Sequence, residues 1–219
     1  MESSHFPLPD QRRYEHAYAL AYKIAAEELN HRDIRKLCCR SGARYLEKNV
    51  QRAIILTYLN RSYQITLPDV DVTLVGSQEV VSMRERVLIL HYLTLARGTP
   101  ATGRVITFKE LPEGPVYFPT FAKRTVNPLL DHFGKEPRRL LDTAGKLGGH
   151  RADYGDVAVI INAFPSVAIT LVLWRGDAEF DPSASIIFDA SINDYLSTED
   201  ITVLCETVIW KLAKSLGQD

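Results

Sequence analysis

The stretch VAVIINAFPSVAITLVLW, residues Val157–Trp174, decides the fold. Two runs, Val157–Ala163 and Val167–Trp174, are nearly continuous Val, Ile, Leu and Ala, and only Phe164-Pro165-Ser166 separates them. Short apolar runs of this length, bounded by a turn signal and rich in β-branched residues, read as strands covered on both faces. The stretch is therefore expected to be a buried antiparallel hairpin, with Ile186–Phe188 as a short strand that joins it.

Working outward towards the C-terminus, Ser197 and Asp200 form a capping box. Ile201, Leu204, Cys205, Val208, Ile209, Leu212 and Leu216 then keep helical spacing as far as Gly217. In the other direction, Ser82 with Glu85 opens a helix over about Met83–Arg97, and Gly98 followed by Pro100 stops it. The core of that helix, Val87-Leu88-Ile89-Leu90-His91-Tyr92-Leu93, is apolar on nearly every face, which predicts a central helix. Between them, a strand at Val105–Lys109, a helix starting near Pro119, and helices ending at Gly134 and near Gly148 are expected. Pro137 stands where a first helical residue would.

The N-terminal third changes period. Tyr14, Ala17, Tyr18, Ala21, Ala25 and Leu29 recur at three- and four-residue steps and predict a helix, and a shorter one ends near Gly42. Segments Ala43–Glu47, Ala53–Tyr58, Tyr63–Leu67 and Val70–Val75 then alternate with period two, and Asn60-Arg61-Ser62 reads as a hairpin turn. The expected class is α+β: antiparallel sheets packed against helices, helical at both termini, in one domain spanning 1–219 with a flexible segment over 1–12.

Composition narrows the function classes. The chain has 219 residues, 46% hydrophobic and 24% charged, which is enough to bury one sizeable core. Twenty-six Lys plus Arg stand against 27 Asp plus Glu, a net charge of -1 with the signs interspersed, so a nucleic-acid partner is not expected. No apolar run approaches a membrane span, and the start lacks a basic, apolar signal sequence. With only three cysteines, two of them adjacent, a cytoplasmic protein is expected and the sequon Asn60-Arg61-Ser62 reads as a chance match.

Several segments carry a resemblance. His91-Tyr92-Leu93, Gly103 with Thr107 through Pro112, Gly114 through Pro119, Trp174 through Phe180, Ile187-Phe188-Asp189 and Tyr195-Leu196 together resemble the family known as domain of unknown function 3786. The resemblance runs from about Ala17 to Leu212. It implies no activity that can be carried over. Members look typical of strictly anaerobic bacteria and archaea, and some resemble fusions to a four-cysteine iron–sulfur module of the kind found in corrinoid proteins. That association implies anaerobic one-carbon or corrinoid metabolism. This chain lacks such a module, so any cluster would sit on an iron–sulfur or corrinoid partner protein.

Candidate chemistry is scattered along the chain. Asp177, Glu179, Asp181 and Asp189 follow a buried strand, and Asp177, Glu179 and Asp189 are the expected ligands for a hard cation, or acid–base groups of a metal-dependent enzyme. The bland alternative is that these residues form turns and caps. In the loop Gly148–Asp156, His150 and Arg151 offer donors to an anion, though no phosphate-loop signature accompanies them. His91 is either a satisfied core histidine or an axial ligand to a metal or tetrapyrrole. Cys38-Cys39 beside Arg35 and Lys36 could carry a thiolate, and packing thiols are the simpler reading. Cys205 belongs to the apolar stripe of the last helix.

Phe108, Tyr117, Phe118 and Phe121, flanked by Lys109, Lys123 and Arg124, describe either a pocket wall with anchors for an anion or the edge of a core. The leading expectation is a binding module whose small-molecule pocket lies between the Gly103–Arg124 and Trp174–Asp189 segments. Its contacts would come from Lys109, Tyr117, Phe118, Arg124, Trp174 and Arg175, with His150 and Arg151 as further donors. No residue pattern names a cofactor, and a homodimer is left open. A metal-dependent enzyme and a pure scaffold for an iron–sulfur or corrinoid partner are the alternatives.

Overall fold

In the computed structural model, residues 11–49 and 51–217 are described, with side chains from Ala17 onward. The flexible segment expected over 1–12 and the place of Tyr14 on the first stripe therefore lie largely outside the described residues, although Gln11 and Arg12 already belong to a helix. In chain order the elements are α1 (Gln11–Asn30), α2 (Ile34–Ser41), β1 (Arg44–Lys48), β2 (Gln51–Tyr58), β3 (Arg61–Leu67), β4 (Val72–Leu74) and α3 (Met83–Leu95). There follow β5 (Val105–Thr107), α4 (Gly114–Arg124), α5 (Val126–Phe133), α6 (Arg139–Ala144), β6 (His150–Ala152), β7 (Val157–Phe164), β8 (Val167–Trp174), β9 (Ser183–Asp189) and α7 (Thr198–Ser215). The class is α+β, with helices as the first and last described elements.

The hairpin of Val157–Trp174 forms as read, pairing Val157 with Leu173 through to Phe164 with Val167. β9 lies against the free side of β8, β5 against β9 and β6 against β7, giving an antiparallel five-stranded sheet ordered β5-β9-β8-β7-β6. The other sheet is the meander β1-β2-β3-β4. Its strands alternate: Ile54, Leu56, Tyr58, Tyr63 and Ile65 face inward while their neighbours face out. Among the described residues no helix is long and apolar enough to cross a membrane.

Local chemistry explains where the expected boundaries move. The β2–β3 turn sits at Leu59-Asn60, both at positive φ (46° and 60°), as a two-residue hairpin turn requires. Arg61 and Ser62, expected in that turn, are already strand. The strand at Val105 stops at Thr107, because Thr107 and Glu110 form a capping box that folds Phe108–Glu110 into a 3-10 turn. α4 begins at Gly114 and carries Pro119 inside it, and the loop expected over Gly148–Asp156 contributes the edge strand β6.

Side chains from both sheets and from the helices between them form one continuous buried cluster. α3 buries Val87, Leu88, Ile89, Leu90, Tyr92 and Leu93, so it is covered on several faces. α7 runs antiparallel to it. Arg84 contacts Glu206, Lys211 Nζ lies 3.0 Å from Glu85, and His91 Nδ1 lies 2.7 Å from Asp200 Oδ1. Asp200 also receives the Ser197 amide and hydroxyl of its own capping box, so one carboxylate both starts α7 and pins it to α3.

Two outcomes follow from this packing. Leu204 is fully buried, and Leu204→Asp should lower stability by several kcal/mol (on the order of 3–5), because a carboxylate would enter the core unpaired. Chemical denaturation measures this, and an unchanged midpoint would refute the packing described. The second outcome is a pH dependence. The hydrogen bond to Asp200 raises the His91 pKa above the ordinary 6.5 despite burial. The protonated ring then stabilises the fold fully below about pH 6.5, and the contribution is lost as pH rises through the higher folded-state value. Wild type should therefore melt above His91→Gln by a margin that is widest near pH 5.5 and shrinks towards about pH 8.5. A margin independent of pH would show that the ring is not charged in the folded protein.

Candidate functional site

The aromatic and cationic residues of the Phe108–Arg124 region come together, but they face one another and α7. Phe108 stacks on Phe121 with centroids 3.8 Å apart, and Lys109 Nζ sits 4.3 Å from the Phe118 ring centre. The Tyr117 hydroxyl donates to Glu199. Arg124 donates to Glu199 at 2.8 Å and to Glu206 at 2.8 Å. These groups clamp α4 onto α7 and leave neither Tyr117 nor Arg124 free as an anchor. Where Gly103–Arg124 and Trp174–Asp189 meet, β5 and β9 are hydrogen-bonded neighbours, with Val105 opposite Asp189.

The acidic set is pulled apart by the same strand. Asp177 and Glu179 lie before β9 and Asp189 ends it, so about 20 Å of extended chain separates them. The Asp177 carboxylate accepts the amides of Glu179 (2.8 Å) and Phe180 (2.9 Å), and these bonds hold its pKa below the usual range. Asp189 is occupied more fully. It accepts the Thr102 amide and hydroxyl (both 3.0 Å), the Gly103 amide (2.7 Å) and the Ser191 amide (2.9 Å). Partial burial alone would raise its pKa, and the bonds from Ser191 and Thr102 overcome that and hold it well below the usual carboxylate range. Among the described residues no group of three or more His, Cys, Asp or Glu is placed to hold a metal. The three-carboxylate metal set is thus not assembled, and His91 faces Asp200 rather than a second ligand.

His150 and Arg151 sit exposed on the edge strand β6, opposite Ile160 and Val159. Trp174 ends β8, and the Arg175 amide donates to Asp156. The Arg175 side chain lines an open groove of about 730 Å³ with Lys135, Arg138 and Arg139. Glu136, Asp142, Asp177 and Asp181 line the same groove, so its four cations are matched by four carboxylates.

A different cleft, of about 430 Å³, lies at the hairpin-tip end of the five-stranded sheet. Its walls are the end of α2, the irregular loop after α3 and the tip of the β7–β8 hairpin. A bulge between Asn162 and Phe164 turns the Phe164 ring inward, where it stacks on Tyr92 (4.1 Å, 6°) and on Tyr58 (4.7 Å). Pro165 then rests against Gly42, whose φ of 70° and missing side chain allow the approach: a Cβ there would lie 2.8 Å from the proline ring.

The opposite wall is fastened from a distance. The Arg97 amide donates to the Asp194 carbonyl, the Thr99 hydroxyl to the Asp194 carboxylate (2.7 Å), and the Tyr195 hydroxyl to the Thr99 carbonyl (2.5 Å). Asp189 secures Thr102 and Gly103 at the end of the same loop. Sequence reading missed this site because Gly98-Thr99-Pro100 announces only the end of a helix, and the partners of Thr99 stand 95 and 96 positions away.

Neither the curated proteins nor the solved structures give a match. A family model does, that of the Domain of unknown function (DUF3786), over residues 33–211. That span begins just before α2 and ends within α7, so it contains both sheets and all the walls of the cleft. The chain belongs to the DUF3786 family.

Proposed function

We propose that this protein is a small-molecule binding module and that its ligand enters the cleft between the end of α2, the loop over 97–103 and the β7–β8 hairpin tip. The observation that carries the reading is the fastening of that loop. Ordering irregular backbone costs about 1–2 kcal/mol per residue, and here long-range hydrogen bonds from Asp189, Asp194 and Tyr195 offset that cost. The result is a rigid wall facing an apolar floor. Pro100, Ala101 and Pro165 contribute exposed apolar surface, while Arg40, Asn162 and Ser166 supply a few polar groups. A cavity of a few hundred Å³ with this mixture is what small ligands occupy.

The family resemblance supplies a setting for such a module: an accessory role in anaerobic one-carbon or corrinoid metabolism, beside a partner that carries the cluster. The reading as a metal-dependent enzyme loses its basis with the dispersal of Asp177, Glu179 and Asp189.

The cleft contains its own reporter. Cys39 lies at the cleft and is exposed, whereas Cys38 and Cys205 are buried. Burial pushes the Cys38 thiol up to about 11 and that of Cys205 higher still, so a thiol reagent should modify Cys39 first. A panel of metabolites from an anaerobic extract should contain fractions that slow Cys39 modification and raise the melting temperature. At a ligand concentration about 100 times Kd the stabilisation is about 2.7 kcal/mol. Ala168→Trp, which fills the cleft from β8, should abolish both effects while leaving the fold intact. Fractions that stabilise wild type and Ala168→Trp equally, without protecting Cys39, would place binding elsewhere.

A further inference from the structure

We infer that the ligand of this cleft is an anion, a carboxylate or phosphate on an apolar body, and that Arg40 and Lys36 receive its charged end; this rests on the cleft reading above and names its chemistry. Four observations converge on it. First, Lys36 and Arg40 stand four residues apart within α2 and so share one face, while Arg32 precedes the N-cap Asp33. Arg32 is paired with Glu28, and Arg35, on another face, with Glu47. Lys36 and Arg40 have no ion-pair partner among the described residues.

Second, a smaller cavity of about 160 Å³ lies between α2 and the end of α3, lined by Lys36, Leu37, Leu93 and Thr94 among others, and Arg40 lines both this cavity and the 430 Å³ cleft. Third, the stem of Arg40 is held in place. Gly98 has φ 79°, and a Cβ there would lie 3.3 Å from both Cα and Cγ of Arg40. The arginine therefore lies across a glycine that has no side chain to displace it, between the two cavities. A merely solvated helix face would not need that fit, although a cation in the last turn of α2 also suits the helix dipole.

Fourth, the carboxylates nearby keep their charge but are already engaged by neutral donors of the chain. Asp33, in the small cavity, caps α2 by accepting the Lys36 amide at 3.1 Å. Asp189, in the large one, holds Thr102, Gly103 and Ser191. Among the described residues, the cations left without an ion-pair partner at these cavities are Lys36 and Arg40. Their heads can converge on one carboxylate or phosphate, with Arg40 able to offer a fork of two donors. The apolar surface of Pro100, Ala101 and Pro165 takes the body of the ligand.

The test is a titration of the isotope-labelled full chain, followed by amide NMR, with hexanoate, hexyl phosphate, hexanol and inorganic phosphate as probes. Hexanoate or hexyl phosphate should shift the amides of Ala101, Val167 and Ala168 and bind at least about tenfold more tightly than hexanol; the preferred head group distinguishes a carboxylate from a phosphate ligand. Arg40→Gln and Lys36→Gln, both at exposed positions, should each weaken the anionic probe about tenfold and leave hexanol unaffected. Hexanol binding as tightly as the anions, or anion binding unchanged in both variants, overturns the anion inference while the cleft reading stands. Inorganic phosphate binding as tightly as hexyl phosphate overturns the apolar body. If all four probes leave the Ala101, Val167 and Ala168 amides unmoved, the cleft reading falls with the inference.

Discussion

The structure depends on the side chain of Tyr92. Its ring is buried in the central helix between Phe164 and Tyr195, with centroids 4.1 and 5.9 Å away. Its hydroxyl donates to the Ser41 carbonyl at 2.7 Å and accepts the Ser166 amide at 3.2 Å. A buried hydroxyl without partners costs about 1–3 kcal/mol, and here both of its roles are filled. Through that one residue, α3 is joined to the end of α2, to the hairpin tip and to the turn before α7. Phe164 continues the stack to Tyr58, and Tyr58 to Tyr63, so aromatic contacts run from one sheet to the other. Tyr58 is the weak member: its hydroxyl is fully buried and finds no partner among the described residues.

The cleft inherits its rigidity from that stack. Tyr195 lies against Tyr92 on one side and reaches the Thr99 carbonyl on the other, while the 3-10 turn that carries it, Ala190–Asp194, is capped by Asp189. Asp189 and Asp194 each connect this turn to the loop after α3. A change at Tyr92 would thus be felt in the floor of the cleft through Phe164 and in its wall through Tyr195. The cleft and the core are mechanically one object, as expected where loop residues are positioned by a packed scaffold.

The parts of this architecture that were legible in the sequence are those specified locally. The Val157–Trp174 hairpin was readable because continuous β-branched runs have few other uses, and α7 because Ser197 and Asp200 mark its start and its stripe is unbroken. β6 was hidden because three residues between glycine-rich turns carry no period, and the start of α4 because Pro119 looks like an opening residue when it is an interior one. The candidate site was less legible. Lys109, Arg124, Asp177 and Asp189 stood out as polar residues in suggestive positions, and the contacts that engage Arg124 and Asp189 come from far along the chain. Glu199 and Glu206 meet Arg124 from 75 and 82 positions away, and Thr102 meets Asp189 from 87. No local pattern contains those distances.

Two loops built on aspartate differ in the reach of their hydrogen bonds. Asp177 binds the amides two and three residues ahead, which closes a small turn on itself, and Phe180 beside it stays 70% exposed. Such a loop can shift without disturbing anything else, because its bonds move with it. Asp189 and Asp194 bind backbone and side chains nearly a hundred residues earlier, so the loop over 97–103 can move only by breaking bonds to the core. A ligand that must be recognised by shape needs a wall of the second kind, since a wall that adjusts gives back in ordering cost what it gains in contact. The groove beside Asp177 is larger and richer in charge. The cleft beside Asp189 is the one whose geometry the fold itself maintains.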